Sequence, residues 1–151
     1  MSDQHGIADV LSVSAAWALL REEVVGRVCV VVKEQPEIFP VNFLVDHGSI
    51  VFRTAEGTKL TASIGRPVAF EVDSYDPSNG EAWSVVVKGT AREVLRMHEL
   101  IDTLELPLFP WHAAPKRHVI RIEPGVISGR RFHALVPSGS AVPPPRRSAH
   151  E

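Results

Sequence analysis

Residues 40–60, PVNFLVDHGSIVFRTAEGTKL, decide the fold predicted for this chain. Two apolar, strand-like stretches flank Asp46-His47-Gly48-Ser49, a composition that favours a tight turn, so the segment predicts a β-hairpin. Directly after the second strand come two cations, two hydroxyls and a glycine: Arg53, Thr54, Gly57, Thr58 and Lys59. Guanidinium, ammonium and hydroxyl groups are suited to holding phosphate. The segment therefore predicts either an anion-binding loop or an ordinary solvated strand end before an exposed helix start.

Length and charge narrow the class of protein. The 151 residues suit one domain with a substantial core, and the formal charge of -2 provides no general attraction to nucleic acid or to anionic membranes. The first residues do not resemble a signal peptide, and no apolar run approaches the length of a membrane span. We therefore expect a cytoplasmic protein with no nucleic-acid or membrane partner. Cys29 cannot form an internal disulfide and is expected to be buried and inert.

The chain is expected to start with a loosely held tail, residues 1–11, and a short amphipathic helix. Ser12 or Ser14 can cap this helix, which is expected to end near Glu23. Its buried stripe follows three- and four-residue spacing and consists of Trp17, Leu20 and Val24.

About six strands, mostly antiparallel because their connections are short, are expected after the helix. The segment VCVVV, residues 28–32, is rich in β-branched residues and predicts a strand covered on both faces. Pro40 lacks an N–H and predicts a sheet edge or bulge. Gly89 interrupts the strand pattern of residues 82–95 and predicts a bulge or bend that lets a sheet curl. The remaining strands are expected at residues 37–45, 50–54, 68–74 and 118–122.

The remaining segments complete the predicted domain. Short helices are expected at residues 56–64 and 97–104. Residues 136–151 contain three successive prolines and two arginines, a low-complexity composition that predicts a disordered tail. We therefore expect a mainly β barrel with short helices over residues 12–135.

Seven pieces of the sequence together resemble a known family. In order they are GRVCVVV, PVNFLVDHGSIVFRT, EGTKL, PVAFEVD, AWSVVVKGTAREV, PLFPWH and ISGRR, which cover about residues 14–132. In this order and at this spacing they resemble the pyridoxamine 5′-phosphate oxidase-like flavin-binding split-barrel proteins. The resemblance implies a six-stranded antiparallel split β-barrel that forms a homodimer, with FMN in each of two grooves between the subunits.

The same resemblance implies where the cofactor would lie. One strand would run along the isoalloxazine ring, with its backbone amides near the ring nitrogens: Pro40, Val41, Asn42 and Phe43. Cations and hydroxyls would hold the phosphate: Arg53, Thr54, Thr58 and Lys59. From the second subunit, Trp83 and Ser84 would approach the cofactor. Trp111 and Arg130 or Arg131 would cover the ring or the substrate.

Three of these positions also have an interpretation that rests on the residues alone. Trp83 is equally suited to be a core aromatic of its strand, and Trp111 a loop anchor packed against the barrel. Asn42 carries an amide within an apolar strand, so it needs a hydrogen-bond partner if it is buried, and the edge of a cofactor is one candidate.

Other kinds of site are not predicted. The histidines at 98, 112, 118 and 133 lack the helical spacing of a zinc protease and have no cysteine companions, so no metal site is expected. One of them as a haem ligand is an alternative, because relatives of this barrel include haem-binding proteins. The chain has neither a serine nucleophile elbow nor a Gly-x-Gly-x-x-Gly motif, which argues against hydrolysis and against a Rossmann dinucleotide site.

The leading hypothesis is a flavin-dependent oxidoreductase in which FMN carries the electrons and no side chain need be catalytic. Its substrate would be an undetermined small molecule. Arg130 and Arg131 could bind a substrate phosphate, but the surrounding pattern departs from that of the biosynthetic oxidase, so pyridoxamine phosphate is not the expected substrate. One alternative is a reductase that uses the 8-hydroxy-5-deazaflavin coenzyme, whose phosphate needs the same cations. Another is a non-catalytic protein that binds a flavin, haem or an apolar ligand.

Overall fold

A computed structural model describes residues 8–55, 57–95 and 118–134 of the chain. The expected helix at 97–104, Trp111 and the expected tail at 136–151 lie outside these residues. In chain order the described elements are β1 Asp9–Val10, α1 Val13–Arg21, β2 Val25–Val32, β3 Gln35–Asp46, β4 Ser49–Thr54, a 3₁₀ turn Thr61–Ser63, β5 Pro67–Tyr75, β6 Glu81–Glu93 and β7 His118–His133.

The strands close into an antiparallel barrel. The sheet order is β1-β7-β4-β3-β2-β5-β6, and β6 also pairs with β7, which closes a ring of six strands with β1 added outside it. This confirms the predicted mainly β class and the six-stranded antiparallel barrel. Each of the six described strands of the ring has a neighbour on both sides, so closure removes the free edge strands of an open sheet.

The interior of the barrel is filled by alternate residues of each strand. Phe43, Phe52 and Phe70 are almost fully buried, and the rings of Phe43 and Phe70 meet edge to face with their centroids 4.8 Å apart. Gly26 lies against the Phe70 ring, which a β-carbon at position 26 would approach to 2.2 Å. On β5 the predicted alternation is confirmed, since Val68, Phe70 and Val72 are buried.

Helix α1 covers one end of the barrel. Its N-cap is Ser12, whose hydroxyl accepts a hydrogen bond from the Ala15 N–H at 3.1 Å, as predicted. Leu20 is buried and Trp17 packs against the core. The prediction for Val24 is wrong, because the helix ends at Arg21 and the Val24 side chain is 59% exposed.

Part of the expected N-terminal tail is ordered by the sheet. Asp9 and Val10 pair with Arg131 and Arg130 of β7, and the Leu11 N–H donates to the Gly129 carbonyl at 2.9 Å. A two-residue strand carries little signal of its own in the sequence.

The β3–β4 hairpin forms as predicted. His47 and Gly48 both have positive φ, 48° and 68°, which is the conformation of a two-residue turn between twisted antiparallel strands. The register between β3 and β4 runs from Phe43↔Phe52 to Asp46↔Ser49, so Pro40 lies beyond it. On that side Pro40 stands at a local sheet edge, as its missing N–H predicted.

A buried arginine ties this hairpin to β7. The Arg121 guanidinium donates to the Ser49 hydroxyl at 2.6 Å, to the Asp46 carbonyl at 3.1 Å and to the Asp46 carboxylate at 2.9 Å. The Arg121 side chain is only 9% exposed. We call these three residues the hairpin clamp.

The last two long strands differ from the sequence prediction in length. The predicted irregularity at Gly89 is confirmed by a register shift between Lys88 and Gly89. Strand β7, expected to end at residue 122, continues to His133 through Pro124 and Gly125. Those two residues are typical of loops, but pairing of β6 with β7 on both sides of Gly125 outweighs their local preference.

One further expectation is wrong. In place of the helix expected at 56–64, the described residues form only the 3₁₀ turn, and the positive φ of Gly57 inside the expected span is not helical. Within one chain, strand β2 is covered on one face, whereas Val31 on the other face is 52% exposed.

Candidate functional site

The loop after β4 is built around two threonine hydroxyls. The hydroxyl oxygens of Thr54 and Thr58 lie 3.0 Å apart, and Thr58 also donates to the Ala55 carbonyl at 3.1 Å and accepts from the Thr61 N–H at 3.3 Å. Because the hydroxyl hydrogen of Thr58 is committed to Ala55, Thr54 is the donor of the pair. Both hydroxyls therefore shape the loop in this structure, and Thr54 itself is buried.

The two cations of the loop are Lys59, which pairs with a residue outside the loop, and Arg53, which lies on β4. Lys59 is exposed, and its ammonium lies 2.6 Å from a carboxylate oxygen of Glu37 on β3. Arg53 is half-buried and precedes Thr54 on β4, so the two side chains point to opposite faces of the strand. With Gly57 at φ 74°, this loop has two cations and a permissive backbone, and its hydroxyls bond within the loop. We call residues 53–59 the cationic loop.

The predicted ring-binding stretch of β3 alternates between core and surface. Val41 and Phe43 are buried in the barrel, Pro40 is exposed and Asn42 is half-buried. Val41 and Phe43 could therefore contact a planar ligand on the outside of β3 only through their backbone atoms. Continuing the β3–β4 register places Asn42 opposite Arg53 on that outer face.

The remaining described site residues lie on β6 and β7. Ser84 pairs in register with Arg130, and both line a cleft of about 390 Å³ together with Ala8, Val10, Val86, Ser128 and Gly129. Trp83 pairs with Arg131 but packs against the barrel core. Within one chain, Trp83 thus occupies the position of a core aromatic. Of the predicted site residues on β6 and β7, Ser84 and Arg130 are the two that line the same cleft.

The two groups of residues lie near opposite ends of strand β7. His118, the first residue of β7, pairs with Thr54, whereas Arg130 is near the other end of the same strand. At a rise of about 3.3 Å per residue, the contour length of strand between them is roughly 40 Å. A single chain therefore places the cationic loop and the cleft at two separate locations.

Among the described residues, no three histidine, cysteine, aspartate or glutamate side chains are placed to hold a metal ion. His118 hydrogen-bonds Glu93, and His133 is exposed at the end of β7. His98 and His112 lie outside the described residues. Cys29 is a free cysteine and is half-buried, so the expectation that it is buried is wrong. In the described ranges no helix has the length and apolar character needed to cross a membrane.

A family model for pyridoxamine 5′-phosphate oxidase matches residues 12–131. The chain belongs to this family. The predicted resemblance is thereby confirmed, and it extends over almost the whole of the barrel.

Solved structures and sequence relatives agree with the family assignment. An FAD-binding protein from Mycobacterium smegmatis is 38% identical, covers 83% of this chain and 98% of its own, and superposes with a TM-score of 0.74. A conserved protein of unknown function from Corynebacterium diphtheriae is 34% identical over 84% of this chain and 98% of its own, with a TM-score of 0.71. An uncharacterised Mycobacterium tuberculosis protein is 36% identical over 115 residues, 72% of this chain and 75% of its own.

Sequence reasoning missed several residues at these two locations. Glu37, the partner of Lys59, is 22 positions away, and nothing in the sequence connects them. Val10 lies in what was expected to be a loose tail. Ser128 could have been found, because it alternates with Arg130 and would share its face of a strand.

Proposed function

We propose that this protein binds a flavin and uses it as an oxidoreductase acting on a small molecule. The observation that carries the proposal is the 38% identity to a Mycobacterium smegmatis protein that binds FAD, over 98% of that protein and with the same fold. The outer face of β3 and the cationic loop supply what such a cofactor needs. Part of β3 extends past its pairing with β4 and can lie along the ring, and the cationic loop beside it can bind the phosphate.

The chain's own residues would bind and orient the flavin. Lys59 and Arg53 would hold a phosphate, and the β3 backbone at Val41 and Phe43 would lie along the ring. Thr54 and Thr58, whose hydroxyls bond each other, would fix the shape of the loop, so their role is support rather than direct contact. When bound, the flavin supplies the redox chemistry.

The identity of the flavin is part of the proposal. The sequence predicted FMN, and the Mycobacterium smegmatis relative binds FAD. The two share the ring, the ribityl chain and the first phosphate, so the same cationic loop suits both. The deazaflavin coenzyme, which also carries a phosphate, is the alternative to be tested beside them.

The decisive experiment is the absorption spectrum of the purified protein, followed by release and mass measurement of any chromophore. A two-banded oxidised-flavin spectrum, with a released mass of FMN or FAD, supports the proposal. If the protein is colourless, FMN, FAD and the deazaflavin are titrated in turn, and binding of none of them overturns it. If added acceptors reoxidise the reduced, bound cofactor no faster than they reoxidise free cofactor, the protein is a binding protein and the proposed oxidoreductase activity is refuted.

We further propose that the working unit is a homodimer, with each cofactor between the cationic loop of one copy and the cleft of the other. The separation of the cationic loop from the Ser84–Arg130 cleft within one chain supports this. The outer face of β2, β5, β6 and β7 also carries exposed apolar side chains, with Val31 52% and Val126 61% exposed. These exposed valines support the proposal, because an apolar patch is typical of an interaction site.

Charges on the same face suit a second copy of this chain. Glu71 and Asp73 of β5 form an acidic pair, neutralised in part by Arg27 at 3.2 and 3.3 Å, and Lys88 and Arg130 lie on the neighbouring strands. In a two-fold interface the acidic part of one copy can meet the basic part of the other.

Replacing Val126 with aspartate is expected to dissociate the dimer, because two buried carboxylates would face each other or apolar surface across the interface. Light scattering after gel filtration should show a monomer where the wild type shows a dimer, and flavin affinity should fall with it. The matched control is Val13→Asp on α1, a valine of nearly equal exposure, 60%, away from that face. A Val126→Asp dimer as tight as the wild type would show that this face is not the interface.

Replacing Lys59 with alanine is expected to weaken flavin binding about 10-fold to 100-fold, since a charge-assisted hydrogen bond contributes roughly 1.5–3 kcal/mol. Affinity is measured by calorimetry or by quenching of flavin fluorescence. Lys33→Gln, which removes an exposed charge from the β2–β3 turn, is the control and should bind as the wild type does. Unchanged affinity in Lys59→Ala would remove Lys59 from the site.

A further inference from the structure

The ion pair between Lys59 and Glu37 stands where the proposed phosphate would bind. Their nitrogen and oxygen are 2.6 Å apart, and the side chains are 54% and 28% exposed. Glu37 lies on β3, three residues before Pro40, so its carboxylate belongs to the same end of the barrel as the cationic loop. The structure thus places an anion of the chain itself on the ammonium that the proposed function assigns to an anionic ligand.

An added phosphate has few other hydroxyl donors in this loop. The Thr58 hydroxyl is committed to Ala55 and Thr61, and the Thr54 hydroxyl to Thr58. The loop's capacity to hold an anion therefore depends on its two cations, Lys59 and Arg53. A carboxylate bonded to that ammonium lowers the gain available to a phosphate, because the ligand must displace it or share the same charge.

We propose that Glu37 is an affinity-determining residue, which competes with the phosphate group of the ligand for Lys59. This inference rests on the proposed function, since it assumes that a phosphate-bearing cofactor uses the cationic loop. It assigns a role to a residue outside the predicted set of contacts. Glu37 would hold Lys59 in position when no phosphate is bound and would release it when one binds.

The test is the affinity of the Glu37→Gln protein for FMN and FAD, each compared with riboflavin, which has the ring but no phosphate. We expect the Glu37→Gln protein to bind phosphate-bearing flavins about twofold to fivefold more tightly than the wild type does. This is the factor that the free energy of an exposed ion pair would give. Riboflavin affinity should not change. Equal or weaker binding of FMN and FAD by Glu37→Gln overturns the inference while leaving the proposed function intact.

A double-mutant cycle separates competition from simple repulsion. If Glu37 acts through Lys59, the gain from Glu37→Gln should vanish in the Lys59→Ala background. A gain that persists there means direct repulsion between Glu37 and phosphate, and competition for Lys59 is then wrong. Glu123→Gln, which removes the carboxylate of an exposed ion pair with Arg92, is the control and should leave all affinities unchanged.

Inorganic phosphate gives a readout that needs no flavin. Phosphate that binds the folded protein raises its melting temperature, and the rise should be larger for Glu37→Gln than for the wild type and smaller than the wild-type rise in Lys59→Ala. A wild type that binds no flavin refutes the proposed function, whereas the phosphate series still decides whether Glu37 and an anion compete for Lys59. Equal rises in the wild type and Glu37→Gln would contradict the competition.

Discussion

The Arg121→Ala protein is expected to unfold with a free energy about 3 kcal/mol lower than that of the wild type. The reason is the hairpin clamp, in which the arginine side chain is 9% exposed and its partner Asp46 is 18% exposed. Removing the guanidinium leaves one oxygen of the Asp46 carboxylate, the Asp46 carbonyl and the Ser49 hydroxyl without the donor that Arg121 supplies in a poorly solvated place. Urea unfolding followed by circular dichroism measures the loss.

The control for this variant is Arg92→Ala on the neighbouring strand β6. Arg92 is 39% exposed and pairs with the exposed Glu123, so its loss should cost less than about 1 kcal/mol. Equal losses of unfolding free energy in Arg121→Ala and Arg92→Ala would mean that burial of the hairpin clamp contributes nothing to stability.

The pH dependence gives a second readout of the clamp. Burial alone would raise the pKa of Asp46, but hydrogen bonds from His47 and Arg121, together with the charges of both, lower it below its usual value. A carboxyl whose pKa is lower in the folded state stabilises the fold above its unfolded pKa, and that stabilisation is lost as the pH falls through the folded pKa. The stability difference between the wild type and Arg121→Ala should therefore shrink as the pH falls below about 4. A constant difference would assign the effect to packing.

Replacing Gly89 with alanine is expected to destabilise the protein by about 3 kcal/mol, the upper end of the range for overpacked sites. A β-carbon there would lie 2.0 Å from the carbonyl oxygen of Glu123 and 3.1 Å from the Cα of Pro124, both backbone atoms of β7. No rotation of a side chain can relieve such a clash, so the β6–β7 bulge must open. For a chain of this length the melting temperature should fall by about 6–12 °C.

Thr90→Ala is the neighbouring control, because Thr90 is exposed on the same strand and alanine adds no atoms. Its melting temperature should stay within a few degrees of the wild type. A Gly89→Ala protein as stable as Thr90→Ala would show that the strands can separate at the bulge without cost, and the close approach at Gly89 would then have no structural importance.

Features governed by neighbouring residues could be predicted from the sequence. The Ser12 cap, the turn at His47 and Gly48, and the alternation of β5 depend on a few adjacent side chains and their backbone preferences, and all three predictions are confirmed. The irregularity at Gly89 belongs with them, because a glycine within an apolar strand often marks a bulge or the close approach of another backbone. These local features favoured a mainly β barrel, and the resemblance carried by the seven ordered sequence pieces supplied the family, which the family model confirms.

Predictions failed where distant pairing outweighed local preference. Residues 123–133 contain Pro124, Gly125 and Gly129, which favour loops, yet β6 pairs with all of them except Gly125, which lies at the register shift, and so makes them strand. Asp9 and Val10 become a strand only because the edge of β7 is beside them. At Val24 the apolar spacing continues past the end of the helix, and the exposed side chain belongs to the connection into β2.

The sequence by itself determined the composition of the cationic loop and the hairpin that carries it, because each depends on residues close together in the chain, and its seven pieces in order carried the resemblance to the family. Only the tertiary structure decided how the loop's distant groups are used. It gave Lys59 a partner on β3 and separated the loop from the Ser84–Arg130 cleft by most of the length of β7. Hydrogen bonds and ion pairs act over a few ångströms in space, and closure of the barrel sets which distant residues come within that range.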